Sequence, residues 1–214
     1  VRTAAFAAAV AAALLATGPA GADDEAGDFD FYVLSLSWSP SWCEVEGEDD
    51  HPQCDGRRPY AFVLHGVWPQ WERGFPEYCR GGPDDEPTRS EVSRLLDIMP
   101  SPGLVRHQWR KHGRCSGLYA EDYIELMEDA YATVTIPREF RDLERPRVLS
   151  PGAVEDAFLS VNPDLEADGI AVTCDSRRLR EVRVCLTRDL AFRPCPEIDR
   201  RGCRAASVVM PPVR

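Results

Sequence analysis

Apolar positions along the chain change period several times, and the changes mark out its elements. FDFYVLSLSWS at 29–39 alternates at its end, with Leu34, Leu36 and Trp38 on one face and Ser35 and Ser37 on the other. That pattern predicts a half-buried strand. An acidic, proline-containing loop follows, bracketed by Cys43 and Cys54. YAFVLH at 60–65 is a mostly buried strand running into Gly66 and a Trp-Pro turn at 68–69. GGPDDEPTRSEVSRLLDIMP then reads as a loop feeding a helix. Thr88 and Glu91 form a capping box, Val92, Leu95, Leu96 and Met99 an apolar stripe, and Pro100 a stop. LVRHQWRKHG suits a second helix with Gly113 as its terminator, residues 120–132 a third, and Ser150-Pro151 the cap and first turn of a fourth. After Asn162 the texture shifts to short strands, IAVTC, LREVRVCL and SVVM.

Strands flanking a group of helices predict an α+β fold: a single domain with a central antiparallel sheet and helices packed on it. Among 214 residues there is no internal repeat and no dividing linker. Residues 1–22, with Arg2, an alanine- and leucine-rich run and small residues before DDE, read as a secretory signal peptide cut after Ala22. Residues 23–214 are then the mature domain, exported to a periplasm or beyond the cell. The run is short for a membrane anchor, and no later stretch is long enough to span a bilayer. Eight cysteines in an exported chain predict four disulfides. Their spacings lack the close CxxC pairs of a structural zinc site and leave the connectivity open.

The net charge of −11 excludes broad electrostatic capture of a polyanion, so any nucleic acid must be held by local cations in a cleft. The scarce residues point to such a cleft. HQWRKHGRC at 107–115 holds two of the four histidines and the sole lysine of the chain, Lys111. On a helix, His107, Gln108, Lys111 and His112 share an arc of about 140°, while Trp109 points back toward a core. A third histidine, His65, ends the YAFVLH strand, as a satisfied core residue or one at a pocket rim; His51 reads as an ordinary loop residue. Histidines five apart with a lysine between them suit zinc poorly, and no glycine-flanked serine elbow is present, so no metal or cofactor is called for.

FVLHGVWP at 62–69 resembles the FxxHGLWP signature of the ribonuclease T2 family, with Val67 for Leu. HQWRKHGRC resembles its HEWxKHGTC signature, with Gln108 for Glu and Arg114 for Thr. The resemblance extends from Phe29 to the C-terminus. It implies a metal-independent endoribonuclease of single-stranded RNA, acting through a 2′,3′-cyclic phosphate and leaving DNA intact. His65 would be the general acid, His112 the general base, His107 the phosphate ligand and Lys111 the charge stabiliser. Trp68 would stack on a base, and Gln70 stands where some relatives carry an acid that reads adenine. The resemblance also implies the pairs Cys43–Cys54, Cys79–Cys115, Cys174–Cys203 and Cys185–Cys195. Gln108 occupies a catalytic position but carries neither charge nor proton at neutral pH. Two other classes therefore stand beside the leading one: a relative that binds RNA or signals without turnover, and a phosphoesterase of small nucleotides. An acidic monomer is the expected state.

Overall fold

The computed structural model describes residues 24–48 and 51–213; the signal peptide expected over 1–22 lies outside them. The chain runs β1 (Phe31–Trp38), α1 (Ser39–Val45), β2 (Phe62–Gln70), α2 (Arg89–Leu95), α3 (Pro102–Lys111), a 3-10 turn (Gly113–Ser116), α4 (Ala120–Thr133) and α5 (Arg138–Arg141). It continues through β3 (Arg147–Leu149), α6 (Pro151–Val161), β4 (Ile170–Cys174), β5 (Leu179–Leu186), α7 (Pro196–Arg200) and β6 (Val208–Met210). The α+β reading holds. A four-stranded antiparallel sheet has the order β2-β1-β5-β4, and β3 pairs with β6 in a separate ribbon. Among the described residues no helix is long and apolar enough to cross a membrane.

β1 is buried on both faces rather than half-buried, because the main core covers one face and Trp68, Cys195 and Ile198 pack over the start of the other. Tyr32, Leu34, Leu36 and Trp38 enter the main core with Trp109 of α3, Tyr123, Ile124 and Met127 of α4, and Phe158 of α6. The opposite face begins with Phe31 and Val33, which cluster with Cys185, Cys195 and Trp68. That second face carries the candidate site.

The capping box at Thr88 forms as expected, and Ser150 accepts from the Ala153 amide to start α6. Three local expectations change. The stretch after Trp38 is helical rather than loop, because Pro40 sits in the first turn, where its missing N–H costs nothing. β2 continues through Trp68-Pro69 instead of turning; as a sheet edge it tolerates a proline. Gly113 opens the 3-10 turn instead of capping α3 in the left-handed region. A Cβ there would lie 2.5 Å from Trp109 and 2.7 Å from Tyr123, so the glycine lets that turn close on the core, and Gly117 supplies the left-handed residue at φ 77°.

Four disulfides join the pairs that the resemblance implied, Cys43–Cys54, Cys79–Cys115, Cys174–Cys203 and Cys185–Cys195. The first pins the loop after α1. The second ties the segment after β2 to the turn after α3.

Candidate active site

A regular strand sends side chains to alternate faces, so residues three apart, such as His65 and Trp68, belong on opposite sides of a sheet. Here both reach the same cavity. The β1–β2 register supplies the reason: Ser35 faces Gly66 and Leu36 faces Leu64, leaving His65 as the extra residue of a bulge. The inserted residue reverses the alternation, so Leu64 and Val67 both enter the core while His65 and Trp68 both leave it. A second bulge, at Arg180, does the same for β5. Leu179 and Val182 face the core, and Glu181 and Arg183 turn toward the site.

His107 and Lys111 come from α3, as the helical spacing predicts, and Trp109 is fully buried beneath them. His112 departs from the ideal helix. Its φ of −121° takes it out of α3, although its amide still donates to the Gln108 carbonyl. The ring therefore turns inward, only 6% exposed, and packs against Trp68 with centroids 5.3 Å apart. The His65 ring meets the same indole edge-on, also at 5.3 Å. The two imidazoles are thus less than twice that distance apart.

Gln108, expected on the open arc, is 2% exposed, and its Oε1 accepts from Trp68 Nε1 at 2.7 Å. It holds the indole in place. Gly66 lies under that bond: a Cβ there would stand 2.3 Å from Trp68 Nε1 and 2.4 Å from Gln108 Oε1. Gly66→Ala is accordingly expected to displace the indole and lower turnover roughly 10²-fold, the scale of an ångström-sized misplacement. Intrinsic tryptophan fluorescence and cleavage rate, measured on the same folded sample, check this; unchanged values for both contradict it.

Two cavities meet at His65 and His107, which line both. One, of about 270 Å³, adds Trp68, Phe75, Lys111, His112 and Arg183. The other, of about 370 Å³, adds Trp42, His51, Ser101, Leu104 and Glu181. Gln70 lies at the first cavity but is 5% exposed, with its amide donating to the Pro69 carbonyl. His51 is more than a loop residue. Its ring packs edge-on to Trp42 and its Nδ1 accepts from the Gln53 amide, so it walls the second cavity. Cations concentrate here despite the acidic chain: Lys111, Arg183 and Arg201 at the first cavity, Arg180 at the second. Lys111 Nζ is 3.2 Å from Glu77 Oε2.

The residue that motif reading misses is Glu181. Its Oε1 lies 2.5 Å from His65 Nδ1, and Arg183 donates to its Oε2 from Nε at 3.0 Å and from Nη2 at 2.7 Å. Burial pushes this carboxyl up, but the His65 hydrogen bond and the charges of His65 and Arg183 outweigh it and hold the group well below the usual carboxylate range. His112 has the opposite surroundings. Burial, and then the positive charges of Lys111, His65 and His107, lower its pKa to about 3. Among the described residues its Nδ1 is buried without a hydrogen-bond partner, and no three His, Cys, Asp or Glu side chains cluster as metal ligands.

The site thus gathers two imidazoles against one indole within an α+β domain. The chain belongs to the Ribonuclease T2 family, whose model matches residues 29–195. A ribonuclease of Aeromonas hydrophila is 44% identical over 108 residues, covering 50% of this chain and 47% of that one. A probable ribonuclease of Haemophilus influenzae is 30% identical over 123 residues, covering 51% and 45%. The chain thus spans about half the length of these two relatives. Ribonuclease 1 of Arabidopsis thaliana is 27% identical over 189 residues, covering 82% and 70%. Among solved structures, an RNase-related protein from Calystegia sepium superposes with a TM-score of 0.69 at 20% identity, covering 86% of this chain and 97% of that one. RNase NT in complex with 5′-AMP gives 0.67 at 23% identity, covering 86% and 99%. At these identities the likeness is one of fold.

Proposed function

We propose that the protein is an exported endoribonuclease that cleaves single-stranded RNA by metal-independent transesterification. The observation that carries the proposal is the packing of His65 and His112 against one indole, Trp68, with His65 at the junction of two cavities. His112 lines only the cavity of Trp68, so the nucleoside bearing the attacking 2′-hydroxyl lies there with its base against the indole. His65 and His107 stand at the junction, where the phosphate lies. The leaving nucleoside extends into the cavity walled by Trp42 and His51. Relatives named as ribonucleases, and solved neighbours holding 5′-AMP and 5′-UMP, support a nucleotide-binding reading of this cleft.

Four roles follow. The neutral His112 ring takes the 2′-hydroxyl proton as the P–O2′ bond forms. His65 delivers a proton to the 5′-oxygen as the P–O5′ bond breaks, which leaves a 2′,3′-cyclic phosphate; its later hydrolysis gives a 3′-phosphate. Each proton transfer contributes about 10²–10⁴-fold. Lys111 and His107 stabilise the charge gathering on the phosphate oxygens, with Lys111 exchanging Glu77 for substrate. Gln108 acts by fixing Trp68, and Gln70 borders the base. DNA lacks the attacking hydroxyl and stays intact. Four disulfides fit an oxidising compartment, a periplasm or the cell exterior. Residues 23–214 form the catalytic domain, acting as a monomer.

Incubation with RNA and the matching DNA in EDTA tests the proposal. Cyclic-phosphate ends on RNA alone are expected. RNA bound but left intact supports the non-catalytic relative, and released inorganic phosphate supports the phosphoesterase.

The pH profile carries a further expectation. A base whose pKa is lowered to about 3 remains deprotonated far into acid, so kcat/KM keeps its acid side until pH approaches that value. An ordinary imidazole would lose it near pH 6.5. Stability runs in the same direction. The unfolded chain binds this proton below about pH 6.5 and the folded protein only near 3. Stability present above the first value is therefore lost progressively as pH falls toward the second. An acid limb near 6.5 contradicts the burial of the base.

A further inference from the structure

Two imidazoles can share acid–base work only if something makes one a donor and the other an acceptor. The motifs supply no such group, since position 108 is an amide that faces Trp68. β5 supplies one. Glu181 stands opposite Ser37 of β1 and is 9% exposed, with one oxygen on His65 and the other clamped by Arg183. The Arg183 guanidinium also lies 5.2 Å from the Trp68 ring centre, so carboxylate, imidazole and indole are fixed together.

An ionised carboxylate only accepts hydrogen bonds, so its contact with Nδ1 requires a hydrogen there and leaves Nε2 as the ring nitrogen for the substrate. His112 lacks that counterpart: the charges acting on it, Lys111, His65 and His107, are all cationic. We propose, resting on the ribonuclease reading above, that Glu181 is a positioning residue that makes His65 the proton donor of the pair. It serves as the buried anion of a site whose position 108 cannot carry charge. In the cleavage step His65 Nε2 gives its proton to the 5′-oxygen while the P–O5′ bond breaks and His112 holds the proton taken from the 2′-hydroxyl. Glu181 neither gains nor loses a proton. The titratable and charged groups around His65 are Arg180, Glu181 and Arg183 from β5, His107, Lys111 and the neutral His112 from α3 and its end, Arg201 at the first cavity, and Glu46 and His51 across the second. Arg180 is itself paired with Glu46.

The test compares Glu181→Gln and Glu181→Asp with the parent on two substrates: a dinucleotide, and uridine 3′-(4-nitrophenyl phosphate), whose aryl leaving group needs no proton. With the dinucleotide, Glu181→Gln is expected to lower kcat about ten- to a hundredfold, at most the lower end of one whole proton transfer, with KM nearly unchanged. With the aryl ester the variant keeps the parent rate to within about threefold, because the step that needs the acid has been bypassed. Glu181→Asp restores most of the dinucleotide rate. Equal losses on both substrates, or a dinucleotide rate left unmoved, overturn the assignment while leaving the enzyme class intact. A parent protein that cleaves neither substrate instead overturns the ribonuclease reading, and this assignment with it.

Discussion

Replacing His112 with alanine is expected to slow RNA cleavage by roughly 10²–10⁴-fold, the contribution of one positioned proton transfer. His65→Ala is expected to fall in the same range on RNA. The two losses should not multiply in the double variant, because both rings act on one transition state. His112→Ala should still fold. The imidazole is 6% exposed and its Nδ1 has no hydrogen-bond partner among the described residues, so truncation removes a buried polar group that costs about 1–3 kcal/mol to keep unpaired. That saving offsets the lost ring contacts with Trp68 and Phe75. The variant is thus expected to pair a deep loss of rate with a small change in unfolding midpoint. Near-normal single-turnover rates in either single variant contradict the assigned roles.

The second large effect is expected from opening the Cys79–Cys115 bridge with a double alanine variant. The bridge spans 36 residues, with its Cα atoms 5.0 Å apart. Loops of that length carry about 4 kcal/mol of chain-entropy stabilisation, within a usual range of about 2–5 kcal/mol for native bridges. The same bridge anchors the segment carrying Phe75, Glu77 and Tyr78 against the end of α3, where the Tyr78 amide donates to the Lys111 carbonyl at 2.8 Å. Tyr78 is held at φ 53°, a left-handed conformation that costs a non-glycine residue about 1–3 kcal/mol. Released from the bridge, this wall of the Trp68 cavity is expected to relax, raising KM several-fold more than it lowers kcat. Opening Cys43–Cys54, which neighbours the His51 cavity, is expected to spare cleavage of an aryl 3′-phosphodiester, whose leaving group places no nucleoside in that cavity. Denaturant unfolding and steady-state kinetics separate the two bridges.

Much of this molecule is legible in the chain because its signals are local. Thr88 with Glu91 and Ser150 with Pro151 mark helix starts through contacts made within one turn. His107, Lys111 and Trp109 sort onto opposite faces of α3 by helical spacing alone. The legible part ends where the third dimension decides. Ser35 is buried on the face away from the main core, which the alternation of β1 cannot reveal. The bulge that brings His65 and Trp68 to one face depends on register with β1; Gly66 is its only trace in the sequence. Glu181 is one acid among 36 acidic residues, set in an alternating strand 116 positions from its partner. A charged residue flanked by the apolar positions of LREVRVCL was a signal of sorts, since a strand in mid-sheet buries an acid only against a partner. Gln108 illustrates the converse. Helical spacing places it on the open polar arc, whereas its burial gives it to Trp68.

The central claim is that a single phosphorus atom sits between His65 and His112 with the upstream base on Trp68. A crystal structure with an uncleavable 2′-deoxy dinucleotide tests it directly. The account predicts the phosphate at the junction of the two cavities, the 5′-leaving oxygen toward His65 Nε2, and the deoxyribose C2′ facing the His112 ring. A dinucleotide bound with its phosphate out of reach of either imidazole, or with the upstream nucleoside in the His51 cavity, contradicts it.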